Sequence, residues 1–404
     1  MSYLDTAART ELARDGALNG VRVIDLGTTL MGPYCTMLLA QWGADVVKVE
    51  PPGGDPARYV GDVRGTGMGP FFLGANRGKR SVVLDLKTPE GLAALSGLIE
   101  WCDVVVHTLR PDAARRLGLD AEGIVARHPR CVAVAFRGFG SGGPAADEPA
   151  YDDIIQARSG VADLQRAGGE PAYVRSALAD KVVGLYGTAA LLAALRQRDR
   201  SGRGVAMEIP MLETMTAFTL VEQQAGYVFD PPVGPAGYVR TASEHRRPYT
   251  TRDGSVAVLI YTDRHWRAFF EIIGRPELAD SPRFRSIRER TENIDALYQL
   301  VAETLAERTT QEWIDLLGAQ RIPIGPVNRL IDLFEDPQLL ATGFFVEVEH
   351  PSEGALRLPR ASGPTGTDPQ QRRDWAPLLG ADTDAVLARL GLSGAAANAG
   401  RDDG

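Results

Sequence analysis

Short, continuously apolar runs alternate with helical stretches through the first half of this chain, and this alternation constrains its fold more than any other feature. Five such runs, rich in valine and typical of buried strands, lie at residues 21–25, 45–49, 81–84, 103–106 and 132–136. Thr88-Pro89-Glu90 begins one of the intervening helices, because a threonine N-cap, a first-position proline and a first-turn acid all stabilise a helix start. The pattern predicts an α/β fold with an open, doubly wound parallel sheet covered on both faces.

The second half begins with a long helical pattern from Asp180 to about Gln197, which ends at a glycine-rich break. A strand at 205–209 and a helix at 211–224 follow. A Pro/Gly-rich segment at 230–237 is typical of a linker and leads to a smaller unit, in which Asp253-Gly254 predicts a hairpin. Further along we expect helices at 266–273, 293–305 and 311–317, a return linker at 322–327, a strand at 344–349 and a disordered polar tail at 393–404.

Composition narrows the class of protein. The chain has 404 residues, a formal net charge of −8 and no long basic run, so we expect no nucleic-acid partner. It shows neither an apolar run of ~18 residues nor the apolar core of a signal peptide, so we expect no membrane partner and a cytoplasmic location. The five scattered histidines lack metal-binding spacing, so we expect no metal. The three cysteines, which argue against a disulfide framework and for a reducing compartment, are Cys35, Cys102 and Cys131.

Two glycine-rich runs resemble phosphate-binding loops. Residues 138–143 match G-x-G-x-x-G, but Pro144 follows and no helix begins there, so we expect no nicotinamide cofactor. Residues 27–32 have the spacing of a nucleotide-triphosphatase loop but continue as Pro33-Tyr34, which excludes that chemistry. Both runs follow predicted strands, at the sheet edge where open α/β folds bind ligands.

Asp180 is the candidate for catalysis, because the chain lacks a G-x-S-x-G nucleophile elbow and a metal site. It stands just before the long apolar helix, and two interpretations are open. As an N-cap it would stabilise that helix by ~1 kcal/mol. As a nucleophile it would attack an activated carbonyl, and we expect the helix N-terminus to lower the pKa of the carboxylate and keep it anionic.

Several segments of the chain resemble the family III coenzyme A transferases, from about residue 18 to residue 392. The matching segments, in order, are LNGVRVIDLG at 18–27, Gly32-Pro33, GADVVKVEPP at 43–52, NRGKRSVVLDLKTPEG at 76–91, RGFG at 137–140, ALAD at 177–180 and LLAALRQRDRSGRG at 191–204. Each is modest by itself, and their order and spacing together are specific.

The resemblance implies a large α/β domain built from both chain ends, with a smaller α+β domain inserted, in an interlocked homodimer. The implied ranges are 18–228 and 328–392 for the large domain and 229–327 for the small domain with its linkers. It also assigns the nucleophile to Asp180. That carboxylate attacks an acyl-CoA to give a mixed anhydride, the CoA thiolate returns to form an aspartyl-CoA thioester, and the acceptor acid then takes CoA. Backbone N–H groups of the glycine-rich turns are candidates to stabilise each oxyanion.

The resemblance further assigns coenzyme A contacts. These fall on Leu30, Met31, Leu84, Lys87, Thr108, Leu109, Arg110, Arg116, Arg137 and Tyr151. Arg116 and Arg137 suit phosphate recognition through charge-assisted hydrogen bonds. Lys87 and Arg116 are equally well explained as solvated charges at helix ends, whereas residues 108–110 follow a strand and should lie at the ligand-binding edge.

Two alternatives within and outside this chemistry remain open. The 2-methylacyl-CoA racemases resemble the chain but carry His-Asp where it has Tyr151-Asp152, and a tyrosine with a pKa near ~10 is a poor base at neutral pH. A non-catalytic CoA-binding protein would not need Asp180. Both alternatives rank below the transferase.

The small domain departs from the formyl-CoA:oxalate members of the family. Those members have a run of glycines that closes over the aspartate, and this chain has none at 237–241, so oxalate is a doubtful acceptor. Side chains in this region are candidates to bind an acceptor carboxylate, or else are surface charges on a loop; they are Tyr238, Arg240, His245 and Arg247.

Overall fold

The computed structural model describes residues 16–166, 169–360, 362–363 and 375–392. The tail predicted at 393–404 lies outside these residues. The chain divides into two compact units. Unit 1 comprises Met1–Ala162, Tyr173–Phe218 and Gly343–Gly404, and unit 2 comprises Asp163–Ala172 and Thr219–Thr342.

A six-stranded parallel sheet forms the centre of unit 1. Its strands are β1 (Arg22–Leu26), β2 (Asp45–Glu50), β3 (Arg80–Val83), β4 (Val104–His107), β5 (Val132–Arg137) and β6 (Val205–Pro210). They lie in the order β3-β2-β1-β4-β5-β6, so the chain winds outward in both directions from β1. The predicted doubly wound α/β fold is confirmed. Such a sheet has its topological switch point between β1 and β4, where a crevice opens at the carboxyl ends of the strands.

Helices alternate with these strands. Up to Gln223 they are α1 (Met31–Gln41), α2 (Pro70–Ala75), α3 (Pro89–Trp101), α4 (Pro111–Leu117), α5 (Ala121–Arg127), α6 (Asp152–Arg158), α7 (Val161–Leu164), α8 (Leu178–Ser201) and α9 (Met211–Gln223). The Thr88 side chain caps α3 by accepting a hydrogen bond from Gly91 N at 3.1 Å. The helix start predicted from Thr88-Pro89-Glu90 is therefore confirmed.

The sheet has an apolar core on each face, because successive residues of a strand point to opposite sides. Val104 and Val106 of β4 belong to the cluster that also contains α1 and α8 residues. Val105 belongs to the opposite cluster, with residues of α3 and α5. This two-sided burial explains why the strand sequences are continuously apolar rather than alternating.

The long helix α8 packs directly on β5 and α1. A Cβ on Gly187 would lie 2.3 Å from the Phe136 ring, and one on Gly184 would lie 2.8 Å from the Met31 carbonyl oxygen. Glycine at both positions therefore allows the close approach. Among the described residues, α8 alone is long and apolar enough to cross a membrane, and core helices commonly share that composition.

Unit 2 has a three-stranded antiparallel sheet with its own apolar core. The strands are β7 (Tyr249–Thr250), β8 (Ser255–Val258) and β9 (Ile324–Pro326), and the helices are α10 (Val239–Ala242), α11 (Asp263–Ile272), α12 (Ile287–Glu292), α13 (Ile294–Leu305), α14 (Thr310–Ala319) and α15 (Pro337–Ala341). The hairpin predicted at Asp253-Gly254 joins β7 and β8. The expected linker at 322–327 was wrong, since β9 pairs with β8 there. The prolines in this segment are typical of a linker, but β9 is an edge strand, and edge strands tolerate proline.

The last described elements return to unit 1. They are the antiparallel strands β10 (Phe345–His350) and β11 (Gly354–Pro359), followed by α16 (Thr383–Arg389). The start of α16 binds the edge of the large sheet. Ser81 N donates to Asp382 Oδ2 at 3.0 Å, and Val83 N donates to Thr383 Oγ1 at 3.0 Å. These bonds cover the otherwise open edge of β3.

Candidate active site

A cleft of about 290 Å³ opens in unit 1 at the carboxyl end of the sheet. It is formed by the segments that follow β1, β4 and β5, together with the start of α8, and this is the edge where open α/β sheets bind ligands. Eight of the residues assigned above line it: Leu30, Met31, Thr108, Leu109, Arg110, Arg137, Tyr151 and Asp180.

The remaining assigned residues lie elsewhere. Lys87 and Arg116 are exposed on unit 1, and Leu84 is buried in the apolar cluster that includes α3. Tyr238, Arg240, His245 and Arg247 belong to unit 2. Arg240 is buried while Arg247 is exposed.

Asp180 occupies the first turn of α8 and is not its N-cap. The helix begins at Leu178 with Ala177 as the N-cap, and the methyl side chain of Ala177 cannot accept a hydrogen bond from the first N–H groups. The Asp152 carboxylate takes over part of that role, since its Oδ1 accepts a hydrogen bond from Asp180 N at 3.0 Å. Gln156 Nε2 holds Asp152 by donating to Oδ2 at 2.6 Å. The N-cap interpretation of Asp180 was therefore wrong.

Burial, and then the Asp152 carboxylate, raise the pKa of Asp180 to about 6. The expected lowering by the helix N-terminus was wrong, because loss of solvent and a neighbouring negative charge both oppose ionisation. In the described part of the chain, the Asp180 carboxylate accepts no hydrogen bond from another side chain. A carboxylate with this pKa is mostly ionised at pH 7.

Buried charges hold the β1–α1 loop beside Asp180. Asp25 Oδ1 accepts from Gly27 N at 2.8 Å, and Lys48 Nζ donates to Gly27 O at 2.7 Å. Asp55 Oδ1 accepts from Thr29 N at 3.1 Å. Thr29 has a φ of 67°, a conformation that costs free energy in a non-glycine residue, so the surrounding bonds must enforce it.

The side chains that hold this loop also pair with one another. Lys48 Nζ lies 2.8 Å from Asp55 Oδ2, and Lys79 Nζ donates to Asp25 Oδ2 at 2.8 Å. All four are almost completely buried. Burial opposes the charge of Asp25, yet Lys79 and Lys48 hold its pKa below the usual value. Sequence reasoning missed this network, although charged residues inside apolar strand runs were a visible indication of it.

The glycine-rich turn after β5 is held by two carboxylates. Glu213 Oε1 accepts from Gly140 N at 2.9 Å, and Glu208 Oε1 accepts from Ser141 N at 2.8 Å. Arg137 Nε lies 3.0 Å from Glu208 Oε2, an ion pair that leaves the Nε–H poorly aligned for a hydrogen bond. Two N–H groups of this turn are therefore already bound and do not face a ligand.

His107 is a further buried group beneath the cleft. Its Nδ1 accepts a hydrogen bond from Leu109 N at 3.3 Å, whereas Nε2 has no partner in the described residues. Burial, and then the charge of Arg137, lower its pKa to about 4. The imidazole is therefore neutral at physiological pH. Among the described residues, no group of three or more His, Cys, Asp or Glu could hold a metal ion.

Together, the fold and the cleft define an α/β protein whose ligand-binding edge holds a carboxylate, that of Asp180, for which the described residues supply no side-chain hydrogen bond. The sequence profile of CoA-transferase family III matches residues 18–383. The chain belongs to this family, which confirms the resemblance and the expectation of an enzyme that moves coenzyme A between an acyl-CoA and a carboxylate.

Similar proteins with described activities support the same membership. The chain is 32% identical to succinate–glutarate CoA-transferase of Agrobacterium fabrum, over 93% of this chain and 96% of that protein. It is 34% identical to succinyl-CoA:mesaconate CoA-transferase of Haloarcula hispanica, over 83% and 86%. It is 31% identical to formyl-CoA:oxalate CoA-transferase of Rhodopseudomonas palustris, over 93% and 94%.

Solved structures show the same fold. A CAIB/BAIF family protein from Brucella suis superposes with a TM-score of 0.76 at 29% identity, covering 93% of this chain and 100% of that one. A hypothetical protein from Mycobacterium tuberculosis superposes with a TM-score of 0.79 at 26% identity, covering 92% and 99%.

Proposed function

We propose that Asp180 is the nucleophile of a CoA transfer from an acyl-CoA donor to a carboxylic acid. The observation that carries the proposal is the state of this carboxylate. It lines the cleft, its pKa is about 6, and the described residues offer its oxygens no competing side-chain hydrogen bond. Tyr151 is 73% exposed, and the described residues give its hydroxyl no hydrogen-bond partner that would position it as a proton-transfer base, which favours the transferase over the racemase.

The proposed transfer proceeds in four steps. The Asp180 carboxylate attacks the thioester carbonyl, the C–S bond breaks, and a mixed anhydride and CoA thiolate form. The thiolate attacks the aspartyl carbonyl and releases the donor acid, leaving an aspartyl-CoA thioester. The acceptor carboxylate attacks this thioester and gives a second anhydride, which the thiolate cleaves on the acceptor side. Asp180 is then restored as a free carboxylate, and no net proton is consumed.

The amino end of α1 is our proposed source of oxyanion stabilisation. Leu30 is its N-cap and provides no side-chain cap, and both Leu30 and Met31 line the cleft with Asp180. Their backbone N–H groups have no hydrogen-bond partner in the described residues. First-turn N–H groups carry the positive end of the helix dipole, so a developing oxyanion is stabilised there.

Coenzyme A is assigned to the same cleft. Thr108, Leu109, Arg110, Arg137 and Tyr151 supply a donor-rich wall with two positive charges, which suits a phosphate-bearing ligand. Arg137 forms an ion pair with Glu208, so Arg110 is the more accessible of the two positive charges. Leu84, Lys87 and Arg116 line no part of the cleft, and their roles in CoA binding are proposals from the family resemblance alone.

For substrates, we infer a short dicarboxylate system. The names of the similar enzymes include succinyl-CoA with glutarate and with mesaconate. Succinyl-CoA is therefore our first donor, and glutarate and mesaconate are our first acceptors. Oxalate is placed behind them because residues 237–241 lack a glycine run.

We also propose a cytoplasmic homodimer. Unit 1 exposes large apolar side chains on α8 and α9, with Tyr186 at 57% and Phe218 at 56% exposure, and a second copy would cover such surface. The three cysteines are free and buried, in keeping with a reducing compartment.

The test is CoA exchange between succinyl-CoA and glutarate. Asp180→Asn should lower turnover by a factor of ~10⁴ or more, as removal of a nucleophile does in other enzymes. Asp153→Asn, an exposed carboxylate on α6, is the matched control and should retain activity. Borohydride added during turnover should reduce an aspartyl thioester, so mass spectrometry should find homoserine at position 180. Full activity in Asp180→Asn would contradict the proposal. Exchange of the donor's α-proton with solvent, without CoA transfer, would favour the racemase instead.

A further inference from the structure

A second cavity lies wholly within unit 2 and shares no lining residue with the cleft that contains Asp180. It encloses about 480 Å³, which is within the range of small-molecule sites in proteins. Much of its wall is apolar and is formed by Ile260, Trp266, Val301 and Ile324. Such a wall suits the apolar body of an organic ligand.

Two buried phenols add hydrogen-bonding groups to this wall. Tyr249 and Tyr298 both line the cavity and are at most 6% exposed. Tyr298 Oη accepts a hydrogen bond from Arg240 Nη2 at 3.4 Å, so its own proton is free to be donated to a ligand. Burial raises the pKa of Tyr249, and it therefore remains a neutral O–H donor at physiological pH.

Arg240 is a buried cation that lacks a negative partner. It is 6% exposed, and its guanidinium carbon lies 4.9 Å from the centre of the Tyr261 ring. The described residues give it no ion pair. Arginine stays charged inside proteins, and an unpaired buried charge is costly. An aromatic face compensates for only part of that cost, so the arrangement calls for an anion. Arg240 itself lines no part of the cavity and acts on it through Tyr298, whereas Arg246 and Arg247 line it and add positive charge.

We propose that the unit 2 cavity binds a small organic carboxylate with an apolar body. The carboxylate accepts a hydrogen bond from Tyr298, whose hydroxyl is polarised by Arg240, and the apolar body contacts Trp266 and its neighbours. This binding does not depend on Asp180, because every residue in it belongs to unit 2. Arg240 and Arg247, for which a role in binding the acceptor carboxylate was predicted, would here serve a carboxylate site that does not involve Asp180.

The test is isothermal titration calorimetry of the full chain with 4-phenylbutyrate. We expect saturable binding with one site per chain. The matched probe is 4-phenylbutanamide, which has the same apolar body without the charge, and we expect it to bind at least 10-fold more weakly.

Three variants examine the residues involved. Arg240→Met should weaken 4-phenylbutyrate binding at least 10-fold. Tyr298→Phe removes only the hydroxyl and should weaken it several-fold, so it serves as the test if Arg240→Met fails to fold. Arg308→Met is the matched control, because Arg308 also lies over an aromatic ring in unit 2, at 5.4 Å from Trp313, but is exposed and lines no part of the cavity. Binding should be unchanged there.

Equal affinity for the acid and the amide would overturn the proposal, and so would unchanged binding in both Arg240→Met and Tyr298→Phe. Absence of 4-phenylbutyrate binding to the native chain would also overturn it. A change of oligomeric state in Arg240→Met would then identify an acid from a second copy as the partner of Arg240. Asp180→Asn should bind 4-phenylbutyrate with unchanged affinity. Failure of the transfer chemistry and failure of this site are thus distinguishable.

Discussion

Replacement of Asp180 by asparagine should make the folded protein more stable above pH 6, even though it removes the proposed nucleophile. Asparagine has nearly the same shape and no charge. The native carboxylate must ionise where burial and Asp152 disfavour it, whereas in the unfolded chain it ionises freely. The variant avoids that cost, as is expected of a functional group held in a strained electrostatic environment.

The magnitude follows from the pKa. In the folded state it is raised from 3.8 to about 6, a change of ~2 units, and each unit corresponds to about 1.4 kcal/mol. The upper limit is therefore about 3 kcal/mol, and partial exposure reduces the expected gain to about 2 kcal/mol. Below pH ~4 the Asp180 carboxyl is protonated in both the folded and the unfolded chain, so it costs the native protein no stability. As the pH rises through about 6 the native carboxyl must ionise, and the stability that the bound proton gave is lost. The advantage of asparagine should therefore grow over that interval.

Scanning calorimetry at matched protein concentration, at about pH 8 and about pH 4, measures this difference. At the higher pH the variant should melt ~4–8 °C above the native protein, and at the lower pH the two should melt together. Asp153→Asn should follow the native protein at both. An asparagine variant that is less stable at pH 8, or that gains equally at both pH values, would refute the reasoning.

Three further outcomes are expected. The kcat/KM for CoA exchange should rise with pH around a midpoint near 6. Asp152→Asn should lower this midpoint by less than ~1 pH unit, because burial contributes more than Asp152 to the raised pKa. An unmoved midpoint would show that Asp152 does not act on Asp180. Lys48→Met should destabilise the fold by ~3–5 kcal/mol in urea denaturation, because it leaves Asp55 buried without its cation; a loss below ~1 kcal/mol would count against the network. Gly187→Ala should cost ~1–3 kcal/mol, since its Cβ would meet the Phe136 ring, whereas Gly142→Ala, with open space around it, should be nearly neutral by the same measurement.

Much of the fold could be predicted because short stretches of neighbouring residues specify its strands and helix starts. Continuous valine-rich runs define the strands of the large sheet, and the Thr88-Pro89-Glu90 start defines α3. The start of α8 was misplaced because Ala177 gives no indication of a cap, and the group that binds the helix start comes from Asp152, 28 residues away along the chain. The strand β9 was missed because its prolines are typical of a linker.

The site was predicted in outline and not in its electrostatics. Seven of the eight assigned residues meet in one cleft because they lie at or after the carboxyl ends of strands that share an edge, and Asp180 joins them from the start of α8. The pKa of Asp180 was predicted in the wrong direction, since burial is a property of the packed chain. The network joins Asp25 of β1 to Lys48 of β2 and to Asp55 shortly after β2, and the pairing of these two strands sets Lys48 beside Asp25.

The contact between β3 and the start of α16 has a consequence for biosynthesis. Ser81 and Asp382 are 301 residues apart, so at ~5–20 residues per second a ribosome needs roughly 15 to 60 s to supply the partner of an edge strand that has already emerged. During that time β3 presents unpaired N–H groups to other nascent chains. Unit 2, apart from residues 163–172, is one continuous stretch and can complete its fold sooner. The edge of β3 therefore stays open to such pairing until α16, the last helix of the described residues, has been made.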